Sequence, residues 1–241
     1  MADLSGRITL VTGASRGIGY AAAKALADAG SHVIAIARTQ GGLEDLDDAI
    51  TSSGGSCTLV PMDLRDFDAI DRLGAVIAER YGKLDGLLSN AGVLGDITPA
   101  PHVTPKDWMR LVDVNITAPY RLIRSFDPLL RASDAGRAVF VTTSVAQTPR
   151  AYWGGYAATK AGMEAFVSIY AQETEITPLK VNLLNPGGVR TAMRAKAMPG
   201  EDPSHLPDPA DVAPLIVDML SPSWDTTDQR VNFRETPHYK G

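Results

Sequence analysis

In the stretch YWGGYAATKAG, residues 152–162, Tyr156 and Lys160 stand four positions apart. On a helix that spacing puts both side chains on one face, with their Cβ atoms about 5–6 Å apart. An ammonium beside a phenol stabilises the phenolate, and a tyrosine brought down from its ordinary value of about 10 can give and take a proton near neutral pH. The same spacing arises by chance on amphipathic helices, so the pair is a candidate acid–base centre that other residues must support. Rival chemistries find little. His32, His102, His205 and His238 are scattered without metal-ligand spacing, no HExxH motif occurs, and Cys57 is the only cysteine. No metal site, thiolate cage or intramolecular disulfide is expected from such a set.

A second group of residues points to a ligand. TGASRGIG, Thr12 to Gly19, lies between an apolar β-rich run and an alanine-rich helical stretch. Gly13 suits a tight turn, Gly17 lets a ligand approach the backbone, and Gly19 lets the helix pack on the sheet, while the helix N-terminus offers N–H groups to a pyrophosphate. In such sites an acidic residue about 20 positions on holds a ribose 2′-OH, whereas a 2′-phosphate needs a cation. Here the second strand ends in Arg38, and Arg16 inside the glycine loop supplies another guanidinium. NADP(H) is therefore expected over NAD(H), the bland alternative being two solvated arginines.

The elements that must hold these residues follow an alternating pattern. RITLV, HVIAIA, CTLVP, LDGLLSN, RAVFVTTS, LKVNLLNP and QRVNF read as seven strands, separated by helical stretches that include a long one from Thr104 to about Arg131 and another from about Tyr156 to Glu175. Repeated βα units of this kind build a parallel sheet with helices packed on it. No linker or internal repeat divides the chain, so residues 1–241 are expected to form a single domain. Residues 191–209, Pro-rich and polar, read as an excursion over the carboxyl edge of the sheet and a candidate substrate lid. Pro119 has no N–H to give to the carbonyl of Asn115, so a kink is expected there, with room for a buried water at that carbonyl. A net charge of −5 offers no basic field for nucleic acid. No stretch approaches the roughly 18 apolar residues of a membrane span, and the opening MADLSGRITLV lacks an export signal, so a cytoplasmic protein without nucleic-acid or membrane partners is expected.

Taken in order, these motifs resemble the short-chain dehydrogenase/reductase family over essentially the whole chain. TGASRGIG looks like its cofactor loop, MDL with Asp63 and Leu64 like its adenine-contacting segment, NAG (Asn90, Ala91, Gly92) like the signature after the fourth strand, and NPGGVRT like the segment that meets the nicotinamide. The resemblance implies an α/β single-domain Rossmann fold with a seven-stranded parallel sheet in the order 3-2-1-4-5-6-7 and helices on both faces. It implies a cofactor held by Gly13, Ser15, Arg16, Gly17, Ile18, Gly19, Arg38, Asp63, Leu64, the NAG residues, Tyr156, Lys160, Pro186, Gly187, Val189 and Thr191. Asn115, Ser144, Tyr156 and Lys160 fall where the family has its catalytic residues. Tyr156 would exchange a proton with a carbonyl or alcohol oxygen, Lys160 would lower its pKa and bind the ribose, Ser144 would polarise the carbonyl, and Asn115 would support a proton relay. Ser144 precedes Tyr156 by twelve positions where thirteen is common, which keeps Thr143 as an alternative, although Ser-x-Ala at 144–146 favours Ser144. Leu94, Tyr152, Trp153 and Met193 are candidate walls for a small-molecule carbonyl or alcohol substrate, such as a ketone or 3-oxoacyl thioester. Arg194 and Lys196 are either contacts for an anionic carrier or solvated charges. A homo-oligomer, tetramer or dimer, is implied as well. The C-terminus departs from the family, with Asp228 where a glycine is frequent. A non-catalytic NADP(H)-binding sensor is the competing reading.

Overall fold

A parallel strand covered on both faces must be apolar on both, and β1 (Ile8–Thr12) meets that condition: Val11 enters one hydrophobic layer and Leu10 the other. The computed structural model describes residues 2–240 and repeats this arrangement across one sheet. Strand β1 leads into α1 (Gly17–Asp28), β2 (His32–Ala37) into α2 (Gln40–Ser52), and β3 (Ser56–Pro61) into α3 (Phe67–Tyr81). Strand β4 (Gly86–Ser89) precedes α4 (Pro105–Val112) and α5 (Ala118–Ala132), and β5 (Arg137–Val141) precedes α6 (Gly154–Glu173). After β6 (Lys180–Asn185) come α7 (Ala192–Ala197) and α8 (Pro209–Met219), and β7 (Arg230–Asn232) closes the edge. The seven strands are all parallel, in the order β3-β2-β1-β4-β5-β6-β7, as the sequence implied.

Two apolar layers sandwich the sheet. Leu26 of α1, Leu46 of α2 and Ile216 of α8 pack on one face; Ile77 of α3, Phe126 of α5 and Val167 of α6 pack on the other. The chain works outward from β1 to β3, then crosses back to β4 on the other side of β1. That reversal leaves a crevice beyond the carboxyl ends of β1 and β4, where ligands bind in such sheets.

The long helix expected from Thr104 to Arg131 is interrupted. Thr104 caps α4 by accepting from the Asp107 N–H at 3.1 Å, with Pro105 in the first turn. Between α4 and α5 the chain widens into a π-helical turn, Asp113–Thr117, in which the Ala118 N–H bonds the Asp113 carbonyl. Pro119 follows at once, so the distortion falls where a missing N–H removes a bond of ordinary helical spacing.

The 191–209 excursion is held at its base and along its length. Arg190 N–H donates to the Pro207 carbonyl at 2.9 Å, and the Arg190 guanidinium reaches Asp208 at 2.7 Å. At the other end of the chain, Asp228 adopts the left-handed φ of 56° that the family's glycine would adopt easily. Its carboxylate accepts from Ser168 at 2.7 Å and Gln172 at 3.2 Å, which anchors the strained residue to α6.

Phe126 has no exposed surface and lies within the second layer. Phe126→Ala is expected to lower the unfolding free energy by about 3–5 kcal/mol. A urea titration reads this as an earlier midpoint at unchanged slope, and a loss below about 1 kcal/mol would show that this layer is not close-packed around α5.

Candidate active site

The crevice is a cleft of about 1530 Å³ that takes in the glycine loop at one end and the Tyr156–Lys160 pair at the other. Most of the residues singled out in the sequence line it, from Gly13, Arg16 and Arg38 through Asp63 and Gly92 to Trp153, Gly187, Thr191 and Met193. Three of them do not: Gly19, Asn115 and Tyr152.

Gly19 lies behind the loop it was assigned to. A Cβ there would stand 2.2 Å from the Gly13 carbonyl oxygen and 2.6 Å from Asn90 Nδ2, so only glycine lets α1 sit this close. The loop is tied to the segment after β4 through Thr12, whose hydroxyl accepts the N–H groups of Asn90 and Ala91, each at 3.0 Å. The Asn90 amide also donates to the Thr12 carbonyl at 3.0 Å, so its side chain braces the cradle.

Arg16 and Arg38 are both exposed on the cleft wall, and neither forms an ion pair among the described residues. Asp63 is differently engaged. The Arg65 guanidinium reaches its carboxylate at 2.7 Å and, with Arg38 as a weaker contributor, holds it below the usual carboxylate range.

At the other end, Tyr156 is embedded among Leu94, Val145 and Ala157, with Trp153 and Ala197 packed against them. Lys160 lies one turn on, 4% exposed, and its Nζ donates to the Val141 carbonyl at the end of β5, 2.8 Å away. The two side chains therefore reach the same cleft from one face of α6. Their ionisation runs against the sequence expectation. Burial pushes the phenol up to about 12, with the Thr143 hydroxyl pulling it back by a hydrogen bond. Burial also draws the Lys160 ammonium down to about 8, opposed by the Glu164 carboxylate. For the phenol, burial of the phenolate is the dominant cause, and the Thr143 hydroxyl is the group that opposes it.

Thr143, thirteen positions before Tyr156, lowers the phenol through its hydroxyl, and it lines the cleft beside Ser144. Ser144 lines the cleft but is exposed at the head of a 3-10 turn, Ser144–Ala146. Asn115 is wholly buried: its Oδ1 accepts the Val93 N–H at 2.9 Å, and its Nδ2 donates to the Val93 carbonyl at 2.9 Å and to Thr159 at 3.1 Å. It thus staples the loop after β4 to α6. Tyr152 is 59% exposed with φ of 73°, and its carbonyl accepts from Thr98 N–H at 3.0 Å, so its ring is not a cleft wall. Arg194 is paired with Glu201, and Lys196 donates to the Gly95 carbonyl at 3.0 Å, so these cations brace the excursion.

Sequence reasoning missed Glu164 and Arg230. The carboxylate stands four residues beyond Lys160, a spacing that could have flagged it. Arg230 is brought alongside only by the order of the sheet.

A seven-stranded parallel Rossmann-type sheet whose glycine-loop cleft also contains a buried tyrosine–lysine pair is the arrangement that the resemblance implied. The sequence pattern described as short chain dehydrogenase matches residues 7–202. Over 220 residues the chain is 41% identical to the uncharacterized oxidoreductase YciK of Escherichia coli K12, covering 90% of this chain and 87% of that one. It is 30% identical to the 3-oxoacyl-[acyl-carrier-protein] reductase FabG of Vibrio harveyi, over 91% and 92% of the two chains. A short chain dehydrogenase of Shigella flexneri 2a, solved in complex with NADP, superposes with a TM-score of 0.93 at 38% identity, over 97% of this chain and all of that one. The chain belongs to the short-chain dehydrogenase family, oxidoreductases acting between CH–OH and C=O.

Burial of Lys160 has a measurable consequence. With a folded value near 8 against 10.5 for the free side chain, the unfolded chain binds more protons between those limits, so stability rises with pH there. Lys160→Met removes that contribution. The unfolding free energy of the original protein is expected to gain on the variant from about pH 8 to 10, in paired denaturant titrations, and a constant difference would show the ammonium to be solvated.

Proposed function

We propose that this chain interconverts a carbonyl and an alcohol using NADP(H), with Tyr156 exchanging the proton. The observation that carries the reading is the buried tyrosine–lysine pair in one cleft with a glycine cradle and two arginines lacking carboxylate partners among the described residues. The residues fit the cofactor. Gly13, Ser15 and Gly17 line the cleft where α1 begins, the place for a pyrophosphate, and Arg16 and Arg38 would take the 2′-phosphate by charge-assisted hydrogen bonds. The Shigella flexneri relative, solved with NADP bound, supports the same choice. When bound, the cofactor supplies the hydride, and the protein supplies position and field.

In the reductive direction Tyr156 donates its proton to the carbonyl oxygen, and the raised phenol keeps that proton across the neutral range. Lys160 would carry the compensating charge and hold the ribose of the bound cofactor. Thr143, whose hydroxyl acts on the phenol, is the first residue to test as the one that orients the carbonyl, with Ser144 beside it in the cleft. The carbonyl of Asn115, at the π-helical turn, supports a relay water leading from Lys160 to solvent. Leu94, Val145, Trp153 and Ala197 would enclose an apolar substrate body, under residues 191–209 as a lid. The FabG relative makes 3-oxoacyl thioesters the first substrates to try. Exposed Met109, Tyr120, Phe166 and Ile169 on α4, α5 and α6 support a homo-oligomer built on these helices.

NADPH consumption against ketones, aldehydes and 3-oxoacyl thioesters tests the reading. Tyr156→Phe is expected to lose about a thousandfold or more in kcat while still binding NADPH, and binding without turnover on every compound would leave a sensor. Thr143→Ala should fall about a hundredfold, with Ser144→Ala nearly unchanged; the reverse order would return the role to Ser144. Replacing Arg16 and Arg38 together by alanine is expected to cost about a hundredfold in kcat/KM for NADPH with little change for NADH.

A further inference from the structure

Behind the acid–base pair lies an ion pair that the reaction as described leaves without a role. Glu164 follows Lys160 by one turn of α6, and Arg230 reaches it from β7, Nε to Oε1 at 3.2 Å, with the side chains 15% and 12% exposed. The same Glu164 oxygen accepts the Thr142 hydroxyl. Arg230 Nη1 donates to Asn232 at 2.7 Å, and Nη2 donates to the Thr143 carbonyl at 2.9 Å. The pair thus grips two consecutive residues directly after Val141, whose carbonyl accepts the Lys160 ammonium. A largely desolvated ion pair adds little stability over an apolar replacement of the same shape, so the atoms of this half-buried pair are better understood by what they orient. These orient the backbone bearing the hydroxyl next to Tyr156.

We propose that Glu164 and Arg230 are positioning residues: together they fix the Thr142–Thr143 backbone against Tyr156 and Lys160, and Glu164 sets the field at Lys160 while Arg230 screens it. The proposal rests on the acid–base reading of Tyr156. The groups facing Lys160 are few. On α6 they are Tyr156 and Glu164; from β5 comes the Val141 carbonyl, and from β7 Arg230 acts through Glu164. The loop after β4 and the π-helical turn bring the neutral Gly92 backbone and the Asn115 amide. Removing the carboxylate withdraws the charge that favours the ammonium, whereas removing the guanidinium leaves that charge unscreened.

The two deletions therefore move Lys160 in opposite directions, which packing alone would not do. Lys160 is titrated by NMR in protein carrying 13C-labelled lysine, its signal assigned by its loss in Lys160→Met, alongside the alkaline limb of kcat/KM. In Glu164→Gln the midpoint is expected to fall by about one pH unit, and in Arg230→Gln to rise by about as much. Arg230→Lys keeps the charge but not the fork, so the midpoint should stay in place while kcat drops about tenfold. Unmoved midpoints with only a lower melting temperature, or shifts of the same sign in both deletions, would overturn the proposal. The NMR midpoints need no substrate. If no carbonyl compound turns over, the acid–base reading fails on its own while the opposed shifts still report on the pair.

Discussion

An ammonium group removed from water must be met by oxygen atoms held where it ends, and the construction of the cleft follows from that requirement at Lys160. The Val141 carbonyl is free to receive it because β5 stops at that residue. On the opposite side the chain passes as Gly92, where a Cβ would lie 3.6 Å from Nζ and 3.4 Å from Asn115 Oδ1. A methyl group there would make ordinary van der Waals contact with both, so space alone does not require the glycine of NAG. An ammonium with so few partners is held at the margin of its protonated form, burial drawing it down and the Glu164 carboxylate opposing.

The two ends of the cleft are mechanically joined. Thr12 closes β1, and its hydroxyl takes the N–H groups that open the NAG segment; Asn115 then takes Val93 and passes to Thr159 on α6. A connected run of hydrogen bonds and main chain thus leads from the glycine loop to Thr159, three residues from Tyr156. In the family pattern, Asn90 and Asn115 read as contacts of cofactor and relay. In the structure their side chains hold loops, Asn90 bracing the glycine cradle and Asn115 tying the segment after β4 to α6.

What could be read from the sequence was whatever depends on near neighbours. The strand–glycine–helix junction, the seven apolar runs and the Tyr156–Lys160 spacing are local patterns, and each has its counterpart in the sheet, the cradle and α6. The choice between Thr143 and Ser144 was not local, since it turns on how the chain folds between β5 and α6. Tyr152 is turned outward by a left-handed backbone that no composition rule anticipates in a tyrosine. The direction of the phenol's shift needed the degree of burial, which is a property of packed layers. Glu164 and Arg230 are 66 residues apart and meet only because β7 lies beside β6, next in line to β5.

The widened turn at Asp113–Thr117 has one more implication. Each residue of an ordinary helix advances the side-chain direction by about 100°, so a turn that accommodates one extra residue acts as a phase shifter between α4 and α5. Asn115 can face Val93 and Thr159 while Leu122 and Phe126 further along still face the sheet, a combination that a straight rod of this sequence would not offer. Loss of a single residue from this turn would leave composition and hydropathy almost untouched, yet it would rotate one of those two sets away from its neighbours.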